Sequence, residues 1–163
     1  MLRIEAQDVP TVATISNRGQ GNFAVISYIG AEYDDLLINE IGRYDGSVYV
    51  APGVDTLEIT SGGQWQVDRS FIDAATPWDG TSDISGQGDS VVVLTGGSFG
   101  ATTIRNRGDS NFAVIAYSEF GDYLDLLVNE IGNYEGEVLL PIDDPVVLAI
   151  HAVGGSWSMS AVH

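Results

Sequence analysis

Short runs of β-branched and aromatic residues recur along the chain and are separated by turn-forming residues. In the second half, seven such runs follow one another, at residues 91–95, 101–105, 112–118, 123–129, 137–140, 146–153 and 157–162. No helical periodicity of useful length lies between them. Short, evenly spaced strands of this kind are typical of β-sandwiches and jelly rolls. The pattern therefore predicts an all-β fold with jelly-roll-like sandwich architecture.

One run lacks the alternation of apolar and polar residues. Residues 112–117 read Phe-Ala-Val-Ile-Ala-Tyr and are apolar at odd and even positions. A strand with one solvated face alternates, whereas a strand buried on both faces is apolar throughout. The run therefore predicts a central strand that is covered on both sides.

The two halves of the chain repeat each other. Residues 17–26, Asn-Arg-Gly-Gln-Gly-Asn-Phe-Ala-Val-Ile, match residues 106–115, and residues 35–46 match residues 125–136. A Gly-Gly-x-Trp sequence closes each half, ending at Trp65 and Trp157. A repeat of this extent indicates two tandem homologous modules. We predict modules at 1–73 and 90–163, joined by a turn-rich linker or lead-in at 74–89.

The charge balance narrows the choice of partners. The chain has 23 acidic residues against 6 basic ones, all of them arginine, and a net charge of -17. Nucleic acids and anionic membranes are bound by clustered basic residues, so neither is expected as a partner. No apolar run is long enough for a membrane span, and none is predicted. High-salt adaptation, attraction of cations and a genome poor in lysine codons each account for the acidity.

Several segments carry a resemblance to a known group of repeats. The segments are Pro77-Trp78-Asp79-Gly80-Thr81 and those at 86–92, 110–114, 125–129, 131–136 and 155–157. They resemble tandem repeats of secreted or surface-attached bacterial proteins, actinobacterial ones especially, which have no established activity. The resemblance implies an extracellular or cell-envelope β-module. The first copy departs from the pattern because it begins at its first strand, without the Pro-Trp-Asp-Gly-Thr segment.

The inventory of catalytic residue types is poor. The only histidines are His151 and His163, and the chain has neither cysteine nor lysine. These absences remove thiolate chemistry, Schiff bases and Ser-Lys dyads. Carboxylate pairs are compatible with the composition, but no pattern places two of them in one cleft. We therefore expect a protein that is not an enzyme.

The most specific repeated feature is the sequence Asn-Glu-Ile-Gly-x-Tyr-(Asp or Glu)-Gly. One interpretation is a polar and aromatic loop that contacts a ligand. The favoured interpretation is structural, because Asn and Gly adopt turn conformations at strand ends and a tyrosine at such a corner packs its ring on the core. The motif residues are Asn39, Glu40, Gly42 and Tyr44 in the first copy and Asn129, Glu130, Gly132 and Tyr134 in the second.

No cofactor is expected, and calcium is the one metal that the loops could bind. Calcium takes oxygen ligands from carboxylates and backbone carbonyls. The candidate ligands lie in two acidic loops and are Asp79, Asp83, Asp143 and Asp144. None of these loops has the spacing of an EF-hand, and a solvated acidic surface is the favoured interpretation.

The sequence thus predicts a non-catalytic extracellular or cell-envelope module that binds a partner or serves a structural role. The alternative is a carbohydrate-binding module, assisted by calcium. The partners considered are a protein or a glycan at the cell surface and a second copy of the chain. Exposed aromatic rings on a flat or grooved face favour sugar binding, whereas burial of all three tryptophans favours the structural or protein-binding role.

Overall fold

The computed structural model describes residues 1–96, 100–141 and 145–162, and it forms two compact units, Met1–Phe71 and Ile72–His163. The predicted all-β class is confirmed, since the described residues contain strands and one 3-10 turn, Ile72–Ala74, but no α-helix. Among these residues no helix has the length and apolar character needed to cross a bilayer.

The first unit contains seven strands in two antiparallel sheets. The sheets have the orders β1-β6-β3-β4 and β5-β2-β7. The strands are β1 (Leu2–Arg3), β2 (Thr11–Asn17), β3 (Asn22–Ile29), β4 (Glu32–Ile41), β5 (Tyr44–Val50), β6 (Thr56–Thr60) and β7 (Trp65–Phe71).

The second unit contains nine strands among its described residues, in sheets ordered β13-β12-β15-β10-β8 and β14-β11-β16-β9. Its pairs are antiparallel except for β8 beside β10, which is parallel. The strands are β8 (Thr76–Trp78), β9 (Ile84–Gln87), β10 (Ser90–Leu94), β11 (Ala101–Arg107), β12 (Asn111–Ser118), β13 (Tyr123–Ile131), β14 (Tyr134–Leu139), β15 (Val146–His151) and β16 (Ser156–Ala161).

The strand order of the first unit recurs in the second. The order β1-β6-β3-β4 corresponds to β10-β15-β12-β13, and β5-β2-β7 corresponds to β14-β11-β16. The register agrees as well, since Asn17 pairs with Trp65 in one unit and Asn106 pairs with Trp157 in the other. We call residues equivalent when they occupy the same position in these two pairing patterns.

The segment 74–89 differs from the predicted linker, because it contributes two edge strands to the second unit. Strand β8 lies beside β10, and β9 lies beside β16. Trp78 at the end of β8 is buried in the core of that unit. The glycines, serines and proline that suggest a linker are tolerated here because both strands lie at sheet edges.

Each unit has one apolar core to which both of its sheets contribute. In the first unit Phe23 of β3 contacts Tyr44 of β5, with ring centroids 5.6 Å apart. In the second unit Phe112 of β12 contacts Tyr134 of β14 at 6.0 Å. The expected central strand is confirmed in β12, which lies between β13 and β15 and is buried at four consecutive residues except Ile115 and its outer neighbours. Two sheets that share a core in this way form a sandwich-like arrangement.

Candidate interaction surface

The repeated motif begins with a tight turn after an edge strand. Gly42 and Gly132 follow β4 and β13 with φ angles of 94° and 86°, a region that only glycine adopts without strain. The amide of Gly42 donates to the carbonyl of Gly21 at 2.9 Å, and the amide of Gly132 donates to that of Ser110 at 2.9 Å. The glycines of the motif are therefore required by the backbone conformation of the turn.

Two buried asparagines hold the same turn from the other sheet. Asn17 donates from Nδ2 to the carbonyl of Gly42 at 2.6 Å, and Asn106 donates to that of Gly132 at 2.7 Å. The side chains of both asparagines are buried. Sequence reasoning placed these asparagines in hairpin loops and missed this role, although their repetition before Arg-Gly was the signal for it.

The motif tyrosines face the core. Tyr44 is buried, Tyr134 is half-buried, and each ring packs on the equivalent phenylalanine described above. The hydroxyl of Tyr134 lies over Gly136, where a side chain would overlap it. The Tyr-x-Gly spacing therefore makes room for a ring that lies along its own strand, which is a packing role.

The other half of the motif faces solvent. Asn39, Asn129 and Glu130 are exposed, and Glu40 is half-exposed. They lie at the ends of the edge strands β4 and β13, beside the exposed apolar residues Ile41 and Ile131. The motif thus combines an inward packing half with an outward half that is free for contact.

The outward half continues into an exposed aromatic and aliphatic surface. Tyr28 and Tyr33 are paired across β3 and β4 in an edge-to-face contact of 6.4 Å, and Leu36 lies on the same side of β4. Tyr33 is 61% exposed and Leu36 is 42% exposed. We call Tyr28, Tyr33 and Leu36 the first tyrosine face.

The second unit carries the same surface at equivalent positions. Tyr117 and Tyr123 contact each other edge to face at 6.4 Å across β12 and β13, beside Leu126. Tyr123 is 62% exposed and Leu126 is 43% exposed, nearly the values of the first unit. We call Tyr117, Tyr123 and Leu126 the second tyrosine face.

The two faces differ in their nearest carboxylate. Tyr28 donates its hydroxyl to Oε2 of Glu58 at 2.9 Å, and this hydrogen bond raises the pKa of Tyr28 above its ordinary value. Glu58 lies opposite Ile26, whereas the equivalent residue opposite Ile115 is Ala149. The first face therefore has a carboxylate on its border at a position where the second face is apolar.

The arginines of the repeat pair with carboxylates of the motif. Arg18 donates to Asp45 at 2.5 Å, and this hydrogen bond lowers the pKa of the Asp45 carboxyl. In the second unit Arg105 and Arg107 lie 3.2 Å and 3.9 Å from Glu135. All of these pairs are exposed, so each is expected to contribute at most about 1 kcal/mol to stability.

A cavity of about 310 Å³ lies in the first unit beside Arg69. The guanidinium donates from Nε to the Thr11 hydroxyl at 2.8 Å and to the carbonyl of Glu5. Partial burial lowers the pKa of Arg69, and its buried Nη2 has no partner among the described residues. The equivalent residue of the second unit is Ala161, so this cavity is not part of the repeated surface.

The candidate calcium ligands are not brought together. Asp79 is occupied by its own turn, because its Oδ1 accepts hydrogen bonds from the amides of Thr81 and Ser82 at 2.9 and 3.1 Å and from the Ser82 hydroxyl. Asp83 is exposed nearby, while Asp143 and Asp144 lie outside the described residues. Within the part of the chain that is described, no three His, Asp or Glu residues form a group suited to a metal.

The Asp79 turn gives a pH-dependent prediction. Its backbone hydrogen bonds hold the pKa of the Asp79 carboxyl well below the ordinary range. A lowered folded-state pKa stabilises the fold above the unfolded-state value, about 4, and this contribution is lost as the pH falls through the folded-state value. Asp79→Asn is therefore expected to lower the melting temperature at pH 7, and the deficit relative to wild type should shrink below about pH 4. Asp83→Asn, in the same loop but outside the turn, is the control, and a pH-independent Asp79→Asn deficit would contradict the expectation.

The tryptophans divide between the core and the surface. Trp78 and Trp157 are buried at 3% and 4% exposure, whereas Trp65, the residue equivalent to Trp157, is 43% exposed. The surface therefore offers one indole and two tyrosine pairs to a partner. No protein-family model matches the chain, and no curated protein sequence gives a significant match to it.

Proposed function

We propose that the chain is a non-catalytic interaction module of an extracellular or cell-envelope protein, built from two homologous β-sandwiches of jelly-roll type. The common strand order, the common register and the repeated turn support the duplication. The extracytoplasmic setting rests on the resemblance to repeats of secreted bacterial proteins.

The observation that carries the proposal is the exposed tyrosine face, which occurs twice. Large apolar side chains at a sheet surface cost hydration free energy unless a partner covers them, and recurring exposed patches mark interaction sites. Tyr33 and Tyr123, and likewise Leu36 and Leu126, are exposed to within one per cent of each other. Core packing does not require these side chains to face outward, so a contact function accounts for them best.

A protein partner is the first candidate for these faces. Each face joins a rigid aromatic pair to an aliphatic residue, the composition that is enriched in the centre of protein interfaces. The net charge of -17 adds a preference for a partner with a basic surface, by long-range attraction.

A glycan is the second candidate, and one observation favours it. The rings of Tyr33 and Tyr123 are more than half exposed at the edge of a sheet. Aromatic rings in such a position can stack on the apolar face of a sugar. The acidic border of the first face would then accept hydrogen bonds from sugar hydroxyls at Glu58.

Binding to bacterial cell envelopes tests the proposal. We expect the wild-type chain to be retained, and Tyr33→Ala with Tyr123→Ala to reduce retention at least about tenfold, since large aromatics dominate such interfaces. Leu139→Ala is the matched control, because Leu139 is 75% exposed but lies on β14, in the other sheet. Circular dichroism should show equal folding of all three proteins.

The source of the partner follows from pretreatment of the envelopes. Loss of wild-type binding after protease treatment supports a protein partner, and loss after periodate oxidation supports a glycan. Equal retention of the wild type and the double tyrosine variant on untreated envelopes would contradict the proposed role of the faces.

A further inference from the structure

An edge strand of the second unit shows how a tryptophan of this fold is covered. Strand β9 pairs with β16 so that Gly86 lies opposite Trp157. A side chain at Gly86 would come within 2.5 Å of Cζ2 of the indole. Glycine is therefore required at this position, and its backbone lies directly against the ring.

Residues that follow β9 complete the cover. The indole Nε1 of Trp157 donates to the carbonyl of Gly88 at 3.2 Å and lies 3.3 Å from the Ser90 hydroxyl. The carboxylate of Asp89 is buried and accepts the amide of Ala152 at 2.9 Å. On the other side of Gly86, Ile84 packs against the core. Residues 84–90 thus act as one extended cover with an apolar residue, a glycine and a hydrogen-bonding end.

The equivalent position of the first unit is open. Strand β7 is the edge of its sheet, and no strand among residues 1–71 lies in the place of β9. Leu2 pairs with Leu57 as Val92 pairs with Leu148, so Met1 is equivalent to Val91 and the residues 84–90 have no equivalent here. Trp65 is exposed as a result, and its Nε1 has no hydrogen-bond partner among the described residues.

The open edge has the form of a groove. Its volume is about 520 Å³, and it is lined by Ser16, Arg18, Gly63, Gln64, Trp65 and Gln66. These residues present no negative charge, in contrast to the chain as a whole. An unpaired edge of this kind offers backbone donors and acceptors to an added strand.

We propose that the edge of β7 is an acceptor site for an extended peptide segment of a partner protein with the pattern of residues 84–90. The segment adds to β7 in antiparallel orientation, with a glycine opposite Trp65 and a β-branched apolar residue opposite Val67. A backbone carbonyl two residues after the glycine then accepts the indole N–H of Trp65. Backbone pairing supplies affinity, and the glycine requirement supplies specificity, because any side chain at that position meets the ring.

A second copy of this chain is a weaker donor. Its own residues 84–90 already cover its Trp157. Donating them would uncover that indole and exchange one set of contacts for an equal set. A segment from a different protein, or from a further repeat, avoids this exchange.

A fusion protein tests the site at high effective concentration, since a linked segment binds intramolecularly. Residues 72–90 are placed directly before Met1 of the full chain, with Trp78→Phe in the added copy to keep its spectrum simple. We expect amide exchange in β7 to slow at least about tenfold relative to the unfused chain. Acrylamide quenching of Trp65 should fall in the same protein.

The matched control carries Gly86→Val in the added copy only. Its side chain should prevent docking, so exchange in β7 and quenching of Trp65 should match the unfused chain. Exchange in β12 reports that the second unit is intact in all proteins. Equal protection by both fusions, or protection by neither, would overturn the proposal, and so would an unfused chain that is already a dimer with β7 protected.

Discussion

Trp157→Ala is expected to lower the free energy of unfolding of the second unit by about 3–5 kcal/mol, the range for truncating a large buried aromatic residue. The indole is 4% exposed and belongs to the core cluster of that unit. It also anchors β9, through the contact with Gly86 and the hydrogen bond to the carbonyl of Gly88. The loss of volume and the loss of this anchor act together.

The equivalent substitution in the first unit should have a much smaller effect. Trp65 is 43% exposed and has no covering strand, so Trp65→Ala is expected to cost about 1 kcal/mol. Denaturant melts with amide exchange resolved by unit separate the two effects, because two units need not unfold in one transition. Equal costs for the two substitutions would show that β9 does not contribute to the burial of Trp157.

The strands of the chain were predictable where local composition and register agree. The run 112–117 is apolar at every position, and it forms the central strand β12. The segment 84–87 has only one strongly apolar residue, and its strand state depends on pairing with β16, far along the chain. A pairing of this kind leaves no local sequence signature, which is why the segment reads as a linker.

The tyrosine faces could not be assigned from the sequence for a related reason. Leu36, Leu37 and Ile38 are consecutive apolar residues, so either parity could face the core. A register shift between Val25 and Ile26 of the neighbouring strand turns Leu36 outward while Leu37 and Ile38 are buried. The bulge, and not the order of residues, decides which side chains are exposed. The exposed tyrosines therefore emerge only from the paired structure.

The buried asparagines of the repeat provide the second large expected effect. Oδ1 of Asn17 accepts the Ser61 hydroxyl at 2.7 Å and the Gly19 amide at 3.2 Å, in addition to the bond from Nδ2 to Gly42. Oδ1 of Asn106 is buried without a partner among the described residues. In the second unit the amide of Gly108 donates to Asn133 instead. The same residue type is therefore fully bonded in one unit and half bonded in the other.

Asn17→Ala is expected to destabilise the first unit by about 3–4 kcal/mol, because three buried polar groups lose their partner at about 1 kcal/mol or more each. Asn106→Ala should cost the second unit only about 1 kcal/mol, since it unpairs one carbonyl and removes an acceptor that was already unsatisfied. Ser61→Val tests the cause, because Val153 is the equivalent residue of the second unit. In that background the cost of Asn17→Ala should fall by about 1 kcal/mol in a double-mutant cycle. An additive cycle, or equal costs for the two asparagines, would contradict this account of the turn.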